Sequence, residues 1–205
     1  MRAYRFLGPN ATGTISGFAW PMPQGSLPGG WVVPPADGTA SGIVAQRVQD
    51  LPRWLEKELW EVELRGNVRE GSSRLLAEEA RLVRRIPQWN DTAAMKFGMA
   101  CVARLQTRAI GILEEQGRHD VASKLRTAAP TESGAILERI DTQGADPAPL
   151  VAGYLKEACL CVTYKVFGSL AFVVHVASID ARLGSSGGSS ERQLQAEWFR
   201  SELSL

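Results

Sequence analysis

The chain is poor in the residues that most chemistry needs. Among 205 residues there are two histidines, His119 and His175, and three cysteines, Cys101, Cys159 and Cys161. Two histidines, one of them deep among Val173, Val174 and Val176, give neither a zinc centre nor a catalytic triad enough to work with. An odd number of cysteines builds no disulfide framework. All three lie in apolar, helix-like stretches and read as buried thiols in a reducing compartment. Cys159 and Cys161 stand two apart on an expected helix, about 200° around its axis, so they diverge and do not chelate. No metal and no cofactor are expected. There is no P-loop and no GxGxxG fingerprint.

Charge of one sign is also lacking. With 23 basic and 22 acidic residues the net charge is +1, so nothing draws the whole molecule to nucleic acid or anionic lipid. MRAYRFLGPN carries no apolar core of signal-peptide length, and the cytoplasm is the expected location. The longest weakly charged stretch, residues 158–178, has Lys165 well inside it. A lysine near the centre of a membrane span costs roughly 2.5–3.5 kcal/mol on insertion scales, so a buried core helix is expected and no membrane association.

What is present divides near residue 90. Before it lie Trp20, Trp31, Trp54, Trp60 and Trp89 and most of the prolines; after it come long Ala/Leu/Glu/Arg stretches. The expected fold is α+β: a small twisted Trp-rich β-sheet region at 1–88, then an α-helical bundle at 91–183. A flexible linker at 184–190 and an amphipathic tail helix at 191–205 follow. Strands are expected at 3–7, 14–20, 31–33, 41–45 and 59–65, with a short helix after Asp50 and a turn at Gly66-Asn67. Residues 72–86 carry both periods, and a short helical turn followed by a strand is expected. Asp91 or Thr92 should cap a helix that Gly117 closes. Two further helices are expected at about 119–127 and from Thr131 to about Ile140. Residues 149–183 should be helical with a break near Gly168.

Three groups of residues are candidates for function. In the tail, Ser190 and Gln193 have capping-box spacing, and Leu194, Trp198, Phe199 and Leu203 form one apolar stripe. A short helix with such a stripe must dock, at home or in the groove of a partner or a second copy. Arg81, Arg84 and Arg85, with Arg74 and Trp89 near, make the densest basic cluster. It is diluted by Glu78 and Glu79, so a solvated face with local ion pairs outweighs nucleic-acid contact. In LWEVELRG, Trp60, Val62 and Leu64 alternate with Glu61 and Glu63, which places the apolar three on the core side and both acids on the other. The expectation is that the acids meet water.

Glu61-Val62-Glu63 on a strand resembles the Glu-x-Glu of arginine-type ADP-ribosyltransferases. The resemblance would give Arg5 the anchoring of a dinucleotide phosphate, Ser41 the place of the family's serine, and a glutamate the stabilising of a positive ribose. Thr39-Ala40-Ser41 departs from the family's Ser-Thr-Ser. The first 86 residues also resemble a family of small bacterial and phage proteins of unassigned activity. The shared pattern is AYRFL, SGF, TASGIVAQ and LWEVEL, against an Ala-Tyr-Lys start, a Gly-Phe, a Cys-x-Ser-Gly-Phe-His-Ala-Cys segment and a Glu-Val-Glu strand. Thr39, Val44 and Gln46 stand here for that family's Cys, His and Cys, which implies a retained fold with an altered or lost site. The leading expectation is a non-catalytic protein-binding or assembly module; the alternative is a nucleotide-using transferase.

Overall fold

The computed structural model describes residues 1–34, 42–138, 147–180 and 187–205. Four strands, β1 (Arg2–Leu7), β2 (Ile43–Ala45), β3 (Glu58–Glu70) and β4 (Leu75–Arg85), form one antiparallel sheet in the order β1-β3-β4-β2. The fold is α+β. The sheet curls until Tyr4 and Gln46 exchange backbone hydrogen bonds of 2.9 and 2.7 Å, which joins its two edges. Closure of this kind removes the unpaired edge groups that would otherwise recruit another strand.

Period-two alternation fills the inside of the curl. Ala3 and Leu7, Trp60, Val62 and Leu64, and Leu75, Ala77, Ala80 and Leu82 form one buried cluster, completed by Trp20 and Val32 from the segment before β2. Each fully buried aliphatic or aromatic side chain of this kind contributes about 1.5–3 kcal/mol. Residues 14–20 and 31–33 form no strands. Instead of ladders they form isolated bridges, Thr12 with Ala19 and Val32 with Ala80. Gly13, Gly17 and the flanking prolines favour turns, and Pro21 and Pro23 have no N–H to offer a ladder.

Two other local expectations give way to pairing. Gly66-Asn67 is a bulge within β3, not its end: the register shifts between Arg65 and Val68, and Gly66 has φ +79°. A Cβ at Gly66 would lie 2.8 Å from that of Glu78, so only glycine fits. The chain reverses later, where the Gly71 N–H donates to the Arg74 carbonyl at 2.8 Å. Residues 75–85 are strand throughout, with no helical turn, because β4 is paired on both sides, to β3 and to β2.

The helices are α1 (Asp91–Glu115), α2 (His119–Thr127), α3 (Ser133–Leu137), α4 (Pro147–Thr163), α5 (Phe167–Ile179) and α6 (Gly187–Leu203). The cap of α1 is Asn90, not Asp91 or Thr92: its Oδ1 accepts from the N–H groups of Thr92 and Ala93 at 3.0 and 3.1 Å. Gly117, at φ +72°, closes the helix, with the Gly117 and Arg118 N–H groups on the carbonyls of Glu114 and Leu113. The break expected near Gly168 falls before Phe167, where Lys165 takes φ +58°. Residues 187–190, expected in a tether, are the first turn of α6, so Ser190 lies inside the helix and does not cap it. The rest of that tether, 184–186, lies outside the described residues.

The chain divides into two compact units, Met1–Ala93 with Ala196–Leu205, and Ala94–Gln195. In the sheet unit, Phe199 of α6 stacks on Trp89 at 5.3 Å between ring centres, and Phe6 meets Trp89 edge-on at 5.3 Å. In the helical unit, Phe97, Val102, Leu105 and Leu113 of α1, Leu155 of α4 and Leu170 of α5 are buried.

Candidate functional site

On β3 the alternation is as expected on one side only. Trp60, Val62 and Leu64 are buried, but so is Glu61, 4% exposed. Period two decides which side a residue faces; it does not decide whether that side is wet. Register places Tyr4, Glu61 and Arg84 in one row across β1, β3 and β4. The Glu61 carboxylate is gripped from two strands, by Arg2 Nη1 and by Arg84 Nε, each at 2.6 Å. A buried carboxylate is tolerated only when it is paired in this way. Burial, and then the charge of Glu61, raise the Tyr4 hydroxyl above its ordinary pKa.

The neighbouring row continues the pattern. Arg81 reaches Glu63 at 2.6 Å, and Arg65 pairs with Glu79. Trp31 lies under both guanidiniums, 4.1 Å from Arg65 and 4.5 Å from Arg81. Arg85 approaches Glu58 at 3.6 Å. Each of Arg81, Arg84 and Arg85 thus has a glutamate against it, and the basic cluster of the sequence is locally neutralised.

Arg5 does not converge with the two glutamates of the transferase resemblance. Arg5 stands opposite Trp60 in the ladder, whereas Glu61 stands opposite Tyr4 and Glu63 opposite Arg2. Directly opposed residues share a face, so Arg5 is on the side of Trp60 and both glutamates are on the other. Ser41 lies outside the described residues.

Glu58, which the sequence did not single out, is a buried acid held by several hydrogen bonds. Its carboxylate accepts from the N–H groups of Asn10 and Ala11 at 3.3 and 3.0 Å and from Trp60 Nε1 at 3.0 Å. Asn10 and Ala11 both have positive φ, 56° and 54°, and so present successive N–H groups to one anion. Beside it is an open hollow of about 500 Å³ lined by Lys57, Glu58, Arg85 and the start of α1 at Asn90–Thr92. Its positive groups already face acids, Arg85 facing Glu58 and Lys57 lying 3.5 Å from Asp91. Glu58 anchors the Pro9–Ala11 turn to the sheet.

The tail stripe is divided. Phe199 and Leu203 are buried, Trp198 is half-buried with its ring 6.5 Å from that of Trp89, and Leu194 is exposed. Two of the four side chains expected to meet a partner are therefore taken up within the sheet unit. The helical unit instead exposes apolar side chains on α4, on α5 and in the turn between them: Leu160, Phe172, Ile179 and Tyr164. It also encloses an ion pair. Glu191, fully buried, accepts from Arg104 Nη2 and Nε at 2.7 and 3.1 Å and from Gln195 Nε2 at 2.9 Å. Burial is the largest single influence on Arg104 and would lower its pKa, but the hydrogen bonds and charges of Glu191 and Cys101 together outweigh it and raise it.

No group of three or more His, Cys, Asp or Glu placed to hold a metal occurs among the described residues, and none of their helices is long and apolar enough to cross a membrane. No family model, no curated protein and no solved structure matches the chain.

Proposed function

We propose that the protein is a non-catalytic assembly module that pairs with a second copy of itself through the helical unit, with α5 as the contact. The supporting observation is the exposure of Phe172, 61%, on a helix that has no polar face to turn to water. The sequence of α5, FGSLAFVVHVASI, contains no Lys, Arg, Asp or Glu. Leu170, Ala171, Val174 and Ala177 are buried, whereas Phe172 and Ile179 are exposed and Val176 is half-buried between them. Positions 172, 176 and 179 follow the i, i+4, i+7 spacing of one helix face. Leu160 on α4 and Tyr164, in the turn just after it, are exposed as well, Tyr164 to 74%.

Large apolar side chains gathered on one face of regular structure mark interaction surfaces, whereas scattered ones do not. A face with no charge of its own selects no partner by sign, and a self-complementary two-fold contact is the commonest way such faces are covered. Three buried free thiols fit a reducing compartment, and we place the protein in the cytoplasm.

Sedimentation velocity tests the reading. At about 50 μM, a concentration at which micromolar contacts are populated, the wild-type chain should sediment as a dimer. Phe172→Asp should sediment as a monomer with an unchanged helical circular dichroism spectrum. A wild-type monomer at that concentration, or a Phe172→Asp dimer, overturns it.

A further inference from the structure

We infer that two copies of α5 meet antiparallel about a two-fold axis near Phe172, so that Lys165 of each copy faces Asp180 of the other. The inference rests on the self-association proposed above and adds its direction and its charged ends. A self-complementary contact between two helices can be made parallel or antiparallel. The α5 face carries no charge, so its two ends decide. Lys165 lies just before α5 and Asp180 caps its C-terminal end, with no Lys, Arg, Asp or Glu between them. Phe172, the most exposed large apolar side chain of α5, follows Lys165 by seven residues and precedes Asp180 by eight. The side chain best placed to seed the contact is thus at the midpoint of the two end charges.

A parallel pairing sets Lys165 beside Lys165 and Asp180 beside Asp180, and like charges so placed oppose docking. It also aligns the two helix dipoles. Antiparallel pairing reverses both effects. Within one copy Asp180 works against its own helix, because an acid at a C-terminal end meets the negative end of the dipole. Across an antiparallel contact the same acid meets the positive N-terminal end of the other α5, together with its Lys165. Lys165 suits the C-terminal end of α4, which it follows, and gains a second negative end from the other copy. Asp180 also has an interaction within its own chain, and a carboxylate has acceptor sites enough for a further donor. The same register brings Val166 of one copy to Ile179 of the other, two apolar side chains exposed at opposite ends of α5. It sets the two Phe172 rings side by side across the axis, where an aromatic pair adds to the burial.

Crosslinking and charge reversal in the full chain test the direction. In the antiparallel pairing position 166 lies about 20 Å from position 166 of the other copy, at 1.5 Å per residue, which no disulfide spans. Position 179 is separated from its own copy in the same way, whereas 166 and 179 adjoin across the contact. Under mild oxidation Val166→Cys and Ile179→Cys should each stay non-covalent, and the double variant carrying both should be trapped as a covalent dimer. Lys165 has left-handed backbone, φ +58°, which aspartate tolerates. Lys165→Asp alone, or Asp180→Lys alone, should weaken dimerisation about tenfold or more in sedimentation equilibrium, and the two together should return to within about threefold of wild type. Crosslinking by either single-cysteine variant overturns the direction and leaves self-association standing. So does a double-cysteine variant that stays non-covalent while the wild type sediments as a dimer, and so do single charge reversals that leave the dissociation constant unchanged. A monomeric wild type overturns both readings.

Discussion

In the sheet unit Glu61 is covered by Arg2 and Arg84, whose own side chains are 74% and 57% exposed. In the helical unit Glu191 is wholly enclosed and faces Arg104, only 25% exposed. Both are buried carboxylates bound by arginine, but they differ in what replaces a lost partner. Water can follow Arg84 out, and Arg2 remains beside Glu61. At Glu191 the partner left behind is the neutral amide of Gln195. The two units also treat apolar surface differently. In the sheet unit, exposed Ile15, Met22 and Leu27 sit singly on the irregular segment before β2, whereas in the helical unit Leu160, Phe172 and Ile179 sit on helix faces. The first pattern is the ordinary scatter of a protein surface; the second is organised.

The sharpest way to break this contrast is to remove one partner from each carboxylate. Arg104→Met should lose about 3–5 kcal/mol in urea unfolding, because it strands a buried charge. The double variant Arg104→Met with Glu191→Met should recover most of that loss. Arg84→Gln should lose about 1 kcal/mol or less, the usual scale for a largely exposed partner. Equal losses at the two sites would remove the distinction.

The apolar contrast is tested by truncation. Phe199→Ala, which empties the stack on Trp89, should lose about 3 kcal/mol or more. Phe172→Ala, read in the monomer at low concentration, should lose less than about 1 kcal/mol. The reverse order would mean that the α5 face is core and the α6 face is surface.

A smaller effect concerns Cys101, which burial pushes up to about 12 from its ordinary 9.0, with Arg104, Glu191 and Arg192 near. The folded thiol keeps its proton between about pH 9 and 12 while the unfolded thiol loses it, so stability falls as pH rises through that window. Cys101→Ala should therefore show a shallower decline than wild type above pH 9. Parallel slopes would mean that the thiol ionises freely in the folded state.

Local rules in the sequence located what local physics decides. Gly117 stops α1 because its positive φ suits glycine, and the alternation of Trp60, Val62 and Leu64 marks one side of β3 as core. What was not legible is set by residues distant along the chain. Glu61 is buried because Arg2 and Arg84 close over it from other strands, and no reading of LWEVELRG alone contains them. Gly66-Asn67 looks like a reversal, and only the pairing of β3 with β4 turns it into a bulge. Residues 72–86 carry a helical period as well, but from Leu75 on two neighbouring strands claim them. The apolar stripe of the tail was visible, but not that Trp89 and Phe6 would take up part of it. Arg5 was visible as a charged residue in an apolar strand, while its place against the Trp20 ring is a property of the folded sheet.

Disulfide trapping tests the central claim, that the face of α5 meets its copy. The three native thiols are buried, so a cysteine introduced at the surface is the reactive one. Phe172→Cys under mild oxidation should give a covalent dimer on a non-reducing gel, and Leu27→Cys, equally apolar and exposed on the sheet unit, should stay monomeric. No dimer from Phe172→Cys, or as much from Leu27→Cys, would contradict the account.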